Sequence, residues 1–247
     1  MGDPDTALAF TGERHVVGAA PDATHVEHIA RYAFAARYVQ GKRVLDIACG
    51  SGYGSSILRD AGALHVDGVD VDEAAVASAR ATFGRDELQF SVGDIRTFAA
   101  APYDVVVSFE TIEHVREYDQ ALNNLRHLLV DGGTLILSTP NRHVTSIRAR
   151  RISDAPKNPF HTQEFVLPEL LDAVRRAGLD PVADQVYGQR HQRHFRSFPL
   201  EALYKVLVRP NVRFSADVTP LRDGREPMIF VLVLRPTGAR YTTTAHD

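Results

Sequence analysis

The chain lacks the features that would set it apart from ordinary globular enzymes. It has one cysteine, Cys49, in 247 residues, which excludes an internal disulfide framework and any multi-cysteine metal centre. It has no excess of positive charge. The 28 Lys and Arg stand against 31 Asp and Glu, a formal net charge of -3, so no global basic field advertises DNA as a partner. No apolar run nears the roughly 20 residues that span a bilayer, and no membrane partner is expected. The opening MGDPDTALAF has no basic stretch followed by an apolar one, so the expectation is a cytoplasmic chain with no secretory leader. Internal repeats and low-complexity tracts are absent too. What remains is average, with 44% hydrophobic and 24% charged residues, enough for a sizeable core.

Periodicity divides the chain into three zones, taken together as one domain over 1–247. In zone 1–40, helical spacing of Ile29, Tyr32, Ala33, Ala36 and Tyr38 predicts a helix over 25–39. In zone 41–180, short β-rich runs at 43–47, 65–71, 88–92, 103–109 and 133–138 alternate with amphipathic segments near 54–61, 73–83, 117–129 and 164–177. The Asp131-Gly132-Gly133 string is read as the stop of the third of these helices. Such alternation predicts an α/β fold with a mostly parallel, Rossmann-like sheet flanked by helices. In zone 181–247, strands are expected at 181–187 and 228–234, around an insert at 188–227 read as a cap or a surface elaboration.

The sharpest local signal is VLDIACGSGYG at 44–54, a buried strand running into Gly50, Gly52 and Gly54 ahead of a helix. Glycines let backbone N–H groups approach a ligand where side chains would collide, and the helix start adds an electropositive end. Alone, the cluster fits a tight strand-to-helix turn as well. Two acids add to it. Asp70 closes the second strand, where nucleotide-binding α/β folds hold a ribose, and Asp94 follows the third. Asp46 lies inside the first strand, where its carboxylate needs loop N–H groups or a ligand ammonium as partners.

With these residues the chain resembles the class I S-adenosylmethionine-dependent methyltransferases, in particular a small-molecule subgroup acting on natural products and sugars. The resemblance covers 41 to about 180 and extends through the last strand pair to 235. It implies a seven-stranded sheet with an antiparallel last strand, and S-adenosylmethionine as cofactor. The family's first motif reads acid-x-Gly-x-Gly-x-Gly; here it starts at Asp46, with Ala48 in place of the first glycine, then Gly50 and Gly52. By this resemblance Asp70 binds the ribose diol, Val71 packs on adenine, Asp94 accepts from the adenine amino group and Ile95 flanks the ring. Phe109 and Glu110 line the cofactor and face the acceptor. FTGER at 10–14 and EHIARYAFA at 27–35 are similar to the leader of that subgroup, which puts Arg14 or Tyr32 at the methionine end of the cofactor; packing in the core is the other reading for Tyr32.

Methyl transfer to a hydroxyl or amine calls for a base beside the acceptor. Glu110, Glu113 and His114 fall on one face of a helical turn at the end of the fourth strand. Three readings stay open: His114 as general base oriented by Glu113 or Glu110, a divalent site suited to Mg²⁺, or a structural turn. The Mg²⁺ reading rests on similarity to the E-x-x-E-H site of ubiquinone-pathway O-methyltransferases and small-RNA 2′-O-methyltransferases, and no metal ligand is assigned. His161 in NPFHTQEF is the second base, unless Thr162 merely caps a helix there. Basic clusters at 142–157 and 190–196 suit an anionic acceptor if they flank the cleft, and solvated surface otherwise. The expected activity is O-methylation of a hydroxyl on a small, sugar-like or anionic acceptor. The alternatives are N-methylation of an amino sugar, RNA 2′-O-methylation and, because Gly50-x-Gly52-x-Gly54 departs from G-x-G-x-x-G, a weaker NAD-dependent oxidoreductase. An exposed sheet edge or the insert would be the place for a homodimer contact.

Overall fold

Short runs of Val, Ile and Leu become strands, and the segments between them close over both faces. In the computed structural model, residues 23–189, 217–221 and 226–238 are described. The strands are β1 (Arg43–Ile47), β2 (His65–Asp70), β3 (Leu88–Val92), β4 (Tyr103–Phe109), β5 (Leu129–Pro140), β6 (Leu179–Gln189), β7 (Val218–Pro220) and β8 (Ile229–Pro236). They form one sheet in the order β3-β2-β1-β4-β5-β8-β6-β7. Strands β1 to β5 pair in parallel, and β8 runs antiparallel to both β5 and β6. β4 and β8 are buried along nearly their whole length, as strands covered on two faces must be.

The helices are α1 (Ala23–Ala35), α2 (Tyr53–Asp60), α3 (Glu73–Phe83), α4 (Tyr118–His127), α5 (Arg142–Thr145) and α6 (Leu167–Arg176). Two apolar cores result. Leu45, Val106, Leu135 and Leu232 pack with Leu122, Leu125 and Leu170 on one face. Val44, Val66, Val105 and Val231 pack with Phe34, Leu58 and Val76 on the other. The strand order reverses between β1 and β4, which opens a crevice at their carboxyl ends.

Three expectations are corrected. The sheet has eight strands rather than seven, because residues 218–220, inside the predicted insert, pair with Tyr187–Gln189 at the edge. The Asp131-Gly132-Gly133 string does not stop a helix. α4 already ends at His127, and the string lies within β5, where the register against β4 shifts and Gly132 takes φ 79. Thr162 caps no helix, since α6 starts at Leu167 and the Thr162 hydroxyl donates to the Glu113 carbonyl at 3.0 Å. Residues 190–216 and 222–225 of the insert lie outside the described residues. Among the described residues no helix is long and apolar enough to cross a membrane.

The N-terminal helix also turns differently from its apolar count. Ile29 is 39% exposed and Ala33 faces out, while Glu27, Arg31, Tyr32, Phe34 and Ala35 are buried. α1 lies across α2, and the Tyr32 ring occupies the space over Gly54, where an added Cβ would sit 1.9 Å from a ring carbon. Neither partner can yield without undocking the helix. Gly54→Ala should therefore cost about 1–3 kcal/mol by overpacking, read as a lower urea midpoint. An unchanged midpoint would show that α1 is free to shift.

Candidate functional site

The strand-to-helix turn after β1 is built from left-handed residues. Gly50 has φ 54 and Gly52 φ 82, and Ala48 adopts φ 63 despite its Cβ, at a cost of about 1–2 kcal/mol. Gly52 is required for packing, because a Cβ there would come 2.7 Å from both Ala79 and the Phe90 ring. The Asp70 carboxylate closes the turn from β2, accepting from Gly50 N at 2.7 Å and from Asp72 N at 3.0 Å. Asp46, 1% exposed, accepts from the Tyr32 hydroxyl at 3.1 Å and the Ser55 hydroxyl at 2.6 Å. Burial pushes the Asp46 carboxyl up to about 7, only partly offset by the Ser55 and Tyr32 hydrogen bonds.

These elements border a cleft of about 1040 Å³ at the carboxyl ends of β1, β2, β4 and β5, room for a nucleotide-sized ligand with a second small molecule. Of the residues singled out in the sequence, Tyr32, Ala48, Gly50, Asp70, Val71, Asp94, Ile95, Phe109, Glu110, Glu113, His114 and His161 all line it. Asp46 and Gly52 sit behind the wall. Arg14 lies outside the described residues. Val71 is 66% exposed in this wall, near the apolar, buried Ile95, an arrangement suited to the flat face of a base. Asp94 is held by the Arg96 side chain and backbone, and the Arg96 hydrogen bonds lower its pKa.

The second half of the cleft is a polar corner. Glu110, with φ 49, ends β4; its carboxylate accepts from the Ser138 hydroxyl at 2.6 Å. The chain then makes a single 3₁₀ turn, Ile112–His114, not the α-helical face read from the sequence. Glu113 is fully buried. One oxygen accepts from Thr139 at 2.9 Å, and the other has no hydrogen-bond partner. Burial, reinforced by the Glu110 charge, pushes the Glu113 carboxyl well above the usual carboxylate range. His114 Nδ1 meets the Phe160 carbonyl at 3.1 Å, so in the neutral ring Nδ1 is the donor and Nε2 the acceptor. The His161 ring packs edge-on against it, with centroids 4.8 Å apart.

His161 is clasped on both sides. Its Nδ1 faces Glu164 at 2.7 Å, and its Nε2 faces the Asn158 amide at 2.9 Å. The Asn158 oxygen accepts from Phe160 N, which turns the amide NH₂ toward the ring and makes His161 Nε2 an acceptor. Burial opposes ionisation of Glu164, yet hydrogen bonds from His161, Thr145 and Ser146 hold its carboxyl below the usual range. The neighbouring Gln163 amide donates to the carbonyls of Ile112 at 2.6 Å and Val115 at 2.9 Å. Segment 158–164 is thus a clasp around the turn that carries Glu113 and His114. Gln163, Glu164, Thr139 and Arg31 escaped the sequence reading; their pairing spans long stretches of chain, and no local spacing signals it.

One donor atom each from Glu113, His114 and His161 falls within 4.8 Å of the others. Glu110 is not in this cluster. Two imidazoles and one carboxylate suit a transition metal better than the oxygen-rich shell of Mg²⁺. The basic cluster at 142–157 contributes little to the cleft. Arg142 is a buried strut, its guanidinium forked onto Glu169 with both contacts at 2.7 Å. Asp154 accepts from the backbone of Arg150 and Arg151, and among 142–157 only Lys157 joins Val144 and Thr145 at the wall. The cluster at 190–196 lies outside the described residues.

Residues 26–209 match a family model described as a methyltransferase domain. The chain is 37% identical over 185 residues to a probable S-adenosylmethionine-dependent methyltransferase of Mycolicibacterium smegmatis, covering 73% of this chain and 70% of that one. It is 35% identical over 183 residues to a probable methyltransferase of the same kind from Mycobacterium tuberculosis, covering 71% and 63%. The chain therefore spans less than two thirds of the second relative. Among solved structures it is similar in fold to the methyltransferase bound to the Trm112 activator of Haloferax volcanii, with TM-score 0.63, 21% identity, and 87% and 92% of the two chains covered. It is also similar to the magnesium protoporphyrin IX methyltransferase of Synechocystis with bound S-adenosylhomocysteine, with TM-score 0.56, 17% identity, and 86% and 83% covered.

Two outcomes are expected. The folded chain holds a proton on Asp46 that the unfolded chain sheds from about pH 3.8 upward. Stability should fall as pH rises from there to about 7 and then level off. Asp46→Asn should flatten that slope in urea midpoints taken from pH 4 to 8; an unchanged slope would assign it elsewhere. Gln163→Leu should lower kcat by about 10²-fold, the effect of misplacing a catalytic group by roughly 1 Å, with S-adenosylhomocysteine affinity preserved. Equal losses in both would mean general unfolding of the cleft.

Proposed function

We propose that this chain, which belongs to the methyltransferase-domain family and is an S-adenosylmethionine-dependent methyltransferase, methylates a hydroxyl group on a small polar acceptor, with a base from the His114–His161 pair. The observation that carries this reading is the polar corner itself. Two histidines in ring contact and a buried carboxyl lie beside the end of β4, in the same cleft as the glycine turn. Among the described residues the corner offers imidazole, carboxyl and amide groups, which favours a hydroxylated, sugar-like acceptor.

The residues present fit the cofactor. The left-handed turn at Ala48–Gly52 brings backbone close to the cleft, the Asp70 carboxylate lies in the wall at the end of β2 where a ribose diol would meet it, and Val71 with Ile95 offers apolar wall for adenine. Bound S-adenosylmethionine supplies an activated methyl group on a sulfonium sulfur. The rest falls to the chain. Tyr32 and Phe109, in edge contact at 5.1 Å, wall the cleft against water. His114 takes the acceptor's proton at Nε2, the nitrogen that its Phe160 contact leaves as the acceptor. His161, held by Glu164 and Asn158, packs on the His114 ring and fixes its plane. Glu113, its carboxyl favoured in the neutral form, donates a hydrogen bond without adding repulsive charge beside the reacting oxygen.

A second reading, a transition-metal ion on Glu113, His114 and His161, draws support from the partnerless oxygen of Glu113. The two separate cleanly. Turnover is followed by a one-methyl mass shift over a panel of sugars and hydroxylated natural-product intermediates. His114→Ala should lower kcat by about 10²- to 10⁴-fold at saturating cofactor, with His161→Ala less affected and chelators without effect. Full turnover in both variants would refute the histidine base. Loss on chelation, restored by a divalent metal, would establish the second reading in its place.

A further inference from the structure

The cleft has a second apolar wall, at the opposite end from the one beside Asp70. β5 ends at Pro140 and β8 starts at Ile229, and these two residues are cross-strand partners. Met228 precedes Ile229, and its carbonyl accepts from Asn141 N at 2.8 Å. Val144 lies on α5, with its N–H on the Asn141 carbonyl at 2.9 Å. Pro140, Val144, Met228 and Ile229 all line the cleft. Two strand ends and one helical turn thus gather four apolar side chains into one patch around Asn141.

Asn141 holds this patch firmly. It is fully buried. Its amide nitrogen donates to Glu226 at 2.6 Å and to the Pro227 carbonyl at 2.9 Å, and its side-chain oxygen accepts from His143 N at 3.1 Å. The polar groups of Asn141 are therefore satisfied within the protein. The patch also borders the histidine corner. Thr145, next to Val144 and in the same wall, donates to the Asn141 carbonyl and to Glu164, the carboxylate that clasps His161. The sheet order β3-β2-β1-β4-β5-β8 separates it from the cofactor slot. Val71 and Ile95 follow β2 and β3, the glycine turn follows β1, and the patch sits beyond them on β5 and β8. One nucleotide cannot rest its base at both ends of the crevice, so the patch calls for a different occupant.

We propose that this patch binds an apolar group carried by the acceptor, and that the acceptor is an amphiphile. Its hydroxylated head meets His114 and His161, and its alkyl or aryl substituent lies on Pro140, Val144, Met228 and Ile229. The assignment rests on the reading of the histidine corner as the acceptor site. The four side chains offer no strong hydrogen-bonding group, so a ligand gains there only by covering them with apolar surface. Met228 adds a flexible thioether that adapts to the shape of what it covers. A bare sugar would satisfy the corner and leave the patch wet.

The test is calorimetric titration of the S-adenosylhomocysteine-loaded protein with methyl, hexyl and octyl β-D-glucopyranoside, each kept below its micelle concentration. Affinity should rise about 10- to 100-fold from methyl to octyl, the gain from burying about two or three methylene groups. In the double variant Val144→Asn with Met228→Gln, that gain should fall to within about 3-fold, with S-adenosylhomocysteine affinity unchanged. Ile147→Asn is the control, since Ile147 is 78% exposed and not part of the cleft wall; it should keep the whole gain. Binding that is absent or independent of chain length overturns the assignment. So does a gain that survives the double variant, or one that Ile147→Asn removes as well. If the double variant does not fold, Val144→Asn alone, at a side chain 41% exposed, should lose the gain several-fold, and an undiminished gain overturns it. Failure of the methyl-transfer reading shows separately, as wild type that does not bind S-adenosylhomocysteine or as full turnover in both histidine variants. The glucoside series on the free protein then decides for the patch by itself.

Discussion

The contact of the Tyr32 hydroxyl with the Asp46 carboxylate is the one on which the cleft depends. Asp46 sits at the heart of β1, where a carboxylate is costly unless donors reach it. Those donors come from two other elements, Tyr32 on α1 and Ser55 on α2. Satisfying the acid therefore joins the first strand, the helix after the glycine turn and the helix that precedes the sheet. Gly54 has no side chain because the Tyr32 ring needs its space, and Phe109 abuts the same ring from β4. One buried acid thus fixes the wall to which Arg31 and Glu27 of α1 also belong.

Much of the fold was legible because its signals are local. Val44 to Ile47, Val105 to Phe109 and Phe230 to Leu234 are apolar runs interrupted only by Asp46 and Ser108, and strands covered on both faces accommodate such runs at that length. Amphipathic spacing places helices at 73–83 and 164–177, and the structure shortens the second to Leu167–Arg176. Errors arose where a local signal has two outcomes. Asp131-Gly132-Gly133 can end a helix or break the register of a strand, and the partner that decides, β4, lies far away in sequence. Val218 to Pro220 is too short to be read as a strand without the edge of β6 beside it.

The glycine-turn side of the cleft was legible for the same reason. Asp46, Gly50, Asp70 and Asp94 lie at or just past the ends of β1, β2 and β3, at spacings that the topology converts into proximity. The polar corner was only half legible. His114 and His161 stood out as side chains, but the clasp that joins them did not. Gln163 and Glu164 read as the polar start of a helix, and their partners are backbone carbonyls and hydroxyls on other elements. Arg31 was hidden by the assumption that a helix buries its most apolar face. α1 buries the face that looks into the cleft, with Glu27, Arg31 and Tyr32 on it.

The position of β8 carries a consequence for how the chain comes off the ribosome. Among the described strands β8 is the last to be made, yet it lies between β5 and β6, so both strands have an open edge until residues 229–236 have emerged. β5 and β6 carry Ser138, Thr139 and Gln189, whose side chains hold Glu110, Glu113 and Arg31. The glycine-turn half, β1 to β4, can assemble during synthesis, whereas the polar corner waits for its centre strand. During that interval two apolar edges are exposed, a window in which a chaperone would find its hold and a slow translation step would be felt.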